Sequence, residues 1–442
     1  MLRMKLLCQT AAAAAIACAV VLALNVNPPG SQAIANNTIP SLPLPALRGP
    51  YQVGKTSYDF VDPSRQEIYS TNSTDKRELM VYVWYPSSAV PGAAPAPYLE
   101  DALVPALATQ FQQSGDSPDL ANVFPSVQTH ASLKTPVSTA QSSYPVLLFS
   151  PGFGGLPEYY TSLASELASH GYIVASISHT YDASVTAFPD GRIVQQAPKL
   201  AAESSLDQAS VNRLDQEDVN IRAADARFVL NKLEQLNAND PQSLFTGHLD
   251  LNRVGIFGHS LGGNTVVQAM LLDSRFKAGL DLDGNRLLNA TLLGRWLVVN
   301  SHNNNSLYRP LMLINADIWF IPVQQLILSL KLKGDIYNLS IQGTQHVDFD
   351  PDISVIVQEL SAYSPQLANQ FSGIFDGLFG PIDANRGAKI IDDYTLAFFD
   401  KYLNYQNSPL LNGPASNYPE VQFDSRLVTG SNGDEPTSVP AG

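Results

Sequence analysis

A chain of 442 residues, 45% of them hydrophobic, is long enough to bury a large core, as two or three average domains or as one long one. Its 40 acidic residues outnumber 26 basic ones, for a net charge of −14. With no long basic run to offset it, that balance disfavours nucleic acid and any purely electrostatic grip on anionic lipid.

The chain opens with Arg3 and Lys5, then an alanine-rich apolar stretch from Ala11 to Leu24, then Ala33-Ile34-Ala35. A basic start, an apolar centre and small residues at −3 and −1 are the layout of a secretory signal peptide. This predicts a leader over residues 1–35, cleavage after Ala35, and export to a periplasmic or extracellular compartment. The rival reading is an uncleaved membrane anchor, because Leu6 to Leu24 nearly spans a bilayer. Both cysteines, Cys8 and Cys18, lie in the leader, so the exported chain holds neither thiol nor disulfide. Residues 36–48, with Pro40, Pro43 and Pro45, read as an extended linker. One domain is expected over 49–426, and 427–442, rich in Gly, Ser and Pro, reads as a disordered tail.

Strand-like segments near 56–60, 66–70 and 78–85 predict antiparallel opening strands of a mixed sheet. Residues 86–143 form a Pro/Ala/Ser/Gln-rich, lid-like insertion. Within it Leu99, Leu103, Leu107 and Phe111 repeat at helical spacing, and Pro105 keeps any helix short or kinked. The segment is either a lid that touches lipid or an excursion whose apolar side packs on the main domain. The second is the expectation. Val146 to Ser150 reads as a buried parallel strand and runs into Pro151-Gly152-Phe153-Gly154-Gly155. A helix from Tyr159 to Ser169 and a strand from Tyr172 to Ser178 follow. Val219, Ala223, Ala226, Leu230 and Leu233 mark one face of a helix over about 214–236. Further strands are expected at 252–257, 276–282, 310–315 and 336–341. A closing helix is expected over 390–403, with Ile391, Tyr394, Phe398 and Tyr402 on one face. Strands alternating with helices make the fold class α/β, a mostly parallel central sheet with helices on both faces.

The strand at 252–257 ends in Gly258-His259-Ser260-Leu261-Gly262, a G-x-S-x-G pentad, and helix-compatible residues follow. This is the strand–turn–helix context of a nucleophile elbow in an α/β-hydrolase fold, with Ser260 at the apex. A helix start behind the serine offers unpaired N–H groups to a developing oxyanion. The Leu261 N–H is one such donor, and the Phe153 N–H in the earlier glycine loop is the expected second. A serine needs a base, and the base needs an acid to hold its tautomer. Of seven histidines, His346 follows the last strand and falls late in the chain, as the order serine, acid, histidine requires. His259 should point away from the Ser260 hydroxyl. His179, at a strand end, is read as a structural or site-wall histidine, and His130, His170, His248 and His302 carry no local signature. Two acids compete. Asp283 closes the strand at 276–282, with Asp281 on the same face but inside the strand; Asp317 follows the next strand. No metal is expected: there is no H-E-x-x-H and no thiol ligand. Asp348, Asp350 and Asp352 lack the glycine and terminal Glu of a calcium loop and read as a solvated acidic turn. No cofactor is implied. Two apolar stretches, 318–332 beginning Ile318-Trp319-Phe320-Ile321, and 371–379 with Phe371, Ile374, Phe375, Leu378 and Phe379, either touch neutral lipid surfaces or are buried.

Taken together, Tyr144–Gly154 (YPVLLFSPGFG), Leu167–Ala175 (LASHGYIVA), Gly258–Gln268 (GHSLGGNTVVQ), Asp273–Asp283 (DSRFKAGLDLD) and Gly343–His346 (GTQH) resemble the plasma-type platelet-activating factor acetylhydrolase family. Gly49–Gly54 and Tyr85–Ser88 fit as well, so the resemblance runs from about 49 to 403. It implies a calcium-independent serine esterase that removes short or oxidised acyl groups from the sn-2 position of phospholipids. It also implies the triad Ser260, Asp283 and His346, with oxyanion N–H groups from Phe153 and Leu261. Pro151 stands where the family commonly has His, and Thr180 where its pattern has Arg after His179; the second bears on headgroup and acyl-chain recognition. The alternatives are a general carboxylesterase, lipase or polyester hydrolase without phospholipid preference and, more remotely, a non-catalytic binding protein on the same fold.

Overall fold

The computed structural model describes residues 41–113, 118–201, 208–284, 306–317, 332–363 and 379–428. The leader, the tail beyond 428, the apolar stretch from Ile318 to 331 and the residues Phe371 to Leu378 lie outside the described residues.

Fourteen strands occur among the described residues. The first, β1 (Leu42–Pro43), belongs to the stretch read as a linker, and from Ser41 on that stretch is docked. Leu42 and Leu44 are buried, β1 pairs in parallel with Val127–Gln128, and Arg48 reaches Glu166 at 2.9 Å and also pairs with Asp392 and Asp393. β2 (Gln52–Gln66) and β3 (Lys76–Ser87) form a long antiparallel hairpin. The strand expected at 66–70 is instead its turn. The polar run Ser70–Asp75 bonds to its own backbone there, as in Thr74 N–H to Asn72 Oδ1 at 3.1 Å, and so leaves the ladder.

The insertion carries α1 (Leu103–Gln113), β4 (Val127–Gln128) and β5 (Ala131–Leu133). Pro105 falls in the first turn of α1, where its missing N–H has no partner to lose. Leu99, Leu103, Leu107 and Phe111 are buried in the same core as Tyr82 and Trp84, and β5 extends the central sheet beside β2.

β6 (Tyr144–Ser150), α2 (Thr161–Ser169), β7 (Ile173–Ser178), the small hairpin β8 (Val185–Ala187) and β9 (Ile193–Gln195), α3 (Gln208–Ala238), β10 (Leu249–His259), α4 (Leu261–Leu272), β11 (Phe276–Leu282), β12 (Leu311–Ala316) and β13 (Ile336–Ile341) follow. After them come α5 (Pro351–Tyr363), α6 (Ala384–Leu403) and β14 (Val421–Arg426). The central sheet has ten strands, ordered β14-β13-β12-β11-β10-β6-β7-β3-β2-β5. From β7 to β13 every pairing is parallel; β3, β2 and β14 add antiparallel ones. β14 has only two inward apolar residues, Val421 and Phe423, and as a half-exposed edge strand it leaves little pattern to read.

Pleat alternation divides the core. On β6, Val146 and Leu148 face α3 and α4 through Ala226, Leu230, Val266 and Met270. Leu147 and Phe149 face the other way, onto Leu163 and Leu167 of α2 and Ile391 and Phe398 of α6. α6 starts at Ala384, earlier than its apolar stripe suggests, because Asp383 caps it by accepting from the Arg386 N–H at 2.9 Å. No helix among the described residues is long and apolar enough to cross a membrane.

Candidate active site

β10 ends at His259 and α4 begins at Leu261, so Ser260 alone makes the turn, with φ 56° and ψ −120°. That backbone is strained for a residue with a Cβ and must be held from outside. The Ser260 N–H donates to the Leu282 carbonyl at 2.9 Å, and its own carbonyl accepts from the Asn264 N–H at 3.2 Å. The flanking glycines are required by close approach. A Cβ on Gly258 would strike the Gly262 backbone, and one on Gly262 would strike the Ser150 carbonyl oxygen. The outcome is a hydroxyl at the carboxyl end of the sheet, on a residue 9% exposed.

The loop after β13 brings in His346. Gly343 turns with φ 78°, and Gln345 and Asp348 cap each other reciprocally around the short helical turn His346–Phe349. Asp348 also accepts from the Gly380 N–H at 2.7 Å. Burial pushes the Asp348 carboxyl up to about 6, against those backbone donors. His346 Nε2 lies 2.9 Å from Ser260 Oγ, and its Nδ1 meets the Asp283 carboxylate. That carboxylate sets the tautomer: Nδ1–H donates to it, and Nε2 is left to accept the serine proton.

Asp283 sits just past β11 with φ 47°, its other oxygen accepting from the Ala316 N–H at 2.8 Å. Asp281, two residues earlier, is turned under the start of α4 and accepts from the Gly284 N–H at 2.7 Å. Burial pushes its carboxyl up to about 8, opposed by the Gly284 N–H and helped by the nearby Asp283. Asp317 is exposed and accepts from the Gly343 N–H at 3.2 Å. The structure therefore brings Ser260, His346 and Asp283 together and leaves Asp317 apart.

The glycine loop after β6 lies against the serine: a Cβ on Gly152 would be 3.5 Å from Ser260 Cβ. Phe153 and Leu261 pack together with Ala197, Leu200 and Val219, bordered by Tyr69 and Tyr181. This apolar wall beside Ser260 draws on separate parts of the chain and has no local sequence signal.

His259 turns away from Ser260, its Nδ1 2.8 Å from the Tyr160 hydroxyl and 3.3 Å from Asp350. His179 is buried, with Nε2 2.9 Å from Ser150 Oγ and Nδ1 2.8 Å from Asp225. Burial, and then the Arg222 charge, push the His179 pKa down to about 4. Burial alone would raise the Asp225 carboxyl, but Arg77 and His179 hold it far below the usual carboxylate range. His130 bonds the Leu44 carbonyl and His170 bonds Glu166. His302 lies outside the described residues.

The acidic turn expected to be solvated is buried instead. Asp348 fixes the His346 loop, Asp350 faces His259, and Asp352 accepts from the Ser162 N–H at 3.1 Å, capping α2 from across the fold. Burial pushes the Asp352 carboxyl up to about 7 against the Ser162 donors. Sequence reading also missed Arg222, a fully buried residue of α3 that binds the glycine loop.

The chain matches the family model for platelet-activating factor acetylhydrolase, isoform II, over residues 37–409. A probable 1-alkyl-2-acetylglycerophosphocholine esterase of Arthroderma benhamiae is 28% identical over 422 residues, 89% of this chain and 96% of that protein. The platelet-activating factor acetylhydrolase of Cavia porcellus is 27% identical over 64% of this chain and 62% of its own length. Among solved structures, a ferulic acid esterase from Streptomyces cinnamoneus aligns with a TM-score of 0.67 at 30% identity, covering 87% of this chain and 99% of that one. This chain is an ester hydrolase of the α/β-hydrolase fold and belongs to the platelet-activating factor acetylhydrolase family.

Proposed function

We propose that the protein is an exported serine esterase that cleaves short or oxidised sn-2 acyl groups from phospholipids through an acyl-enzyme. The carrying observation is the hydrogen-bonded chain Ser260–His346–Asp283 on a strained elbow. Ser260 Oγ attacks the ester carbonyl as its proton passes to His346 Nε2, and Asp283 stabilises the imidazolium. The N–H groups of Phe153 and Leu261 receive the oxyanion. The C–O bond then breaks, the leaving alcohol takes the proton from His346, and Ser260 carries the acyl group. Water, deprotonated by His346, releases the acid and restores the serine. The apolar wall of Phe153, Leu200, Val219 and Leu261 is the seat for a short acyl chain.

Family membership supports the phospholipid substrate. The likeness to a ferulic acid esterase favours a second reading, a carboxylesterase without phospholipid preference. A panel of short-acyl phosphatidylcholine, long-acyl phosphatidylcholine, triglyceride, feruloyl ester and p-nitrophenyl acetate decides between them. The first reading expects the highest kcat/KM on short-acyl phosphatidylcholine. A higher value on feruloyl or simple esters establishes the second, and no turnover on any member leaves a binding protein.

The leader supports export, and the mature secreted protein should begin at Asn36. Lipid contact, where it occurs, is apolar, so neutral vesicles should bind with little effect of salt; binding confined to anionic vesicles and abolished by salt refutes it. Of the two apolar stretches, Leu332 and Phe379 are described; Leu332 is buried, and Phe379 packs partly buried against the main core.

A further inference from the structure

We propose that Arg222 is a positioning residue for the oxyanion-binding peptide, gripping the Gly152 carbonyl so that the Phe153 N–H is aimed and strengthened. The inference rests on the site reading above. Arg222 projects from α3 and is 1% exposed. Its Nη1 donates to the Pro151 carbonyl at 2.6 Å and its Nη2 to the Gly152 carbonyl at 3.3 Å. Nε donates to Asp182 Oδ2 at 2.7 Å, Nη2 pairs with the other Asp182 oxygen, and Asp182 accepts in turn from the Gly154 N–H at 3.4 Å. The Gly152 N–H donates to the Tyr160 hydroxyl at 3.3 Å. The loop beside Ser260 is thus held from both sides.

The Gly152 carbonyl and the Phe153 N–H belong to one peptide. That unit is planar and trans, so its C=O and N–H point to opposite sides. The oxygen accepts from the Gly155 N–H at 3.0 Å as well as from Arg222, and the two donors together fix the direction of the N–H. A cationic donor also polarises the amide and makes its N–H a stronger donor. A buried guanidinium serving only stability would need just its carboxylate and any nearby acceptors. Here its remaining donors fall on the Ser150 hydroxyl and on two successive carbonyls of the loop against the nucleophile.

The test compares an oxygen ester with the matching thionoester, whose sulfur accepts hydrogen bonds weakly and so draws little on the N–H donors. Arg222→Gln/Asp182→Asn removes both charges and leaves no buried ion unpaired; Arg222→Lys keeps the charge but loses the fork. In folded double variant, kcat on the oxygen ester should fall about 100-fold, the scale of one lost oxyanion donor, with KM near wild type. The thionoester rate should change far less, and Arg222→Lys should fall between. Wild-type kcat in the folded variants, or equal losses on both substrates, overturns the role. Ser260→Ala separates the two levels. An active Ser260→Ala brings down the site reading and this inference with it; an inactive one beside fully active Arg222 variants overturns this inference alone.

Discussion

Ser260, His346 and Asp283 are bonded in the same order as Ser150, His179 and Asp225: hydroxyl to Nε2, Nδ1 to carboxylate. The second chain differs in backbone, access and charge. Ser150 ends β6 in regular strand geometry, whereas Ser260 stands alone on a turn with φ 56°. Ser150 is 1% exposed and Ser260 9%. Asp225 is saturated by Arg77 and Arg65, and Arg222 lies 3.4 Å from Ser150 Oγ. Those cations stabilise the carboxylate but oppose an imidazolium on His179. Among the described residues, Asp283 accepts from the Ala316 N–H and from His346, which leaves its charge directed at His346. Connectivity alone therefore does not make a triad. The elbow, the access and the charge around the base separate the two chains.

The largest effect should come from the serines. Ser260→Ala should keep the fold and lose esterase activity by a factor on the order of 10⁶, and an organophosphate should label Ser260. Ser150→Ala should keep turnover near wild type and lose stability by about 1–3 kcal/mol, the cost of leaving its partners unsatisfied. Labelling at Ser150, or an active Ser260→Ala, breaks the comparison.

The acids come next. Asp283→Asn should preserve geometry and lower kcat by about 10⁴ through the wrong histidine tautomer. Asp317→Asn should cost far less. Asp225→Asn leaves Arg77 buried without its full counter-charge, so about 3–5 kcal/mol of stability should go while kcat per folded molecule holds. Thermal melts beside active-site titration separate the two kinds of loss. A large kcat loss in folded Asp317→Asn would move the acid to the later strand.

Much of this was legible because it is local or ordered along the chain. The pentad, the glycine loop and the strand before each lie within a dozen residues, and His346 follows from coming after β13, the last of the parallel strands. Asp283 is favoured over Asp317 by its place at the end of its strand and by the family resemblance; three-dimensional register shows the difference directly, since both close parallel strands and only one carboxylate meets His346. The missed features are long-range and polar. Arg222 reaches the Gly152 carbonyl across 70 residues of sequence, and Asp352 caps α2 across 190. A buried charge looks in sequence like a surface one, so Asp350 and Asp352 read as solvated. A half-exposed edge such as β14 carries too few apolar residues to announce a strand.

The most gradual effect is a slope in stability against pH. His179 titrates near 4 in the folded protein, against an ordinary value of 6.5, because burial and Arg222 disfavour its charged form. The folded state therefore binds fewer protons than the unfolded state between those two values. The stability that neutral His179 contributes is complete above pH 6.5 and is lost as pH falls towards 4, by at most ~1.4 kcal/mol per pH unit for one proton. Buried carboxyls act with the opposite sign. Glu158 and Asp352, both raised to about 7, favour the fold most when protonated and lose that contribution as pH rises through 7. The total curve mixes these, so the readout is the difference between wild type and His179→Gln. That gap should be widest above pH 6.5 and narrow steadily down to pH 4.5, in denaturant melts at fixed salt. A gap constant from pH 8 to 4.5 would mean that His179 is not held neutral, and the two chains would then differ in backbone and access alone.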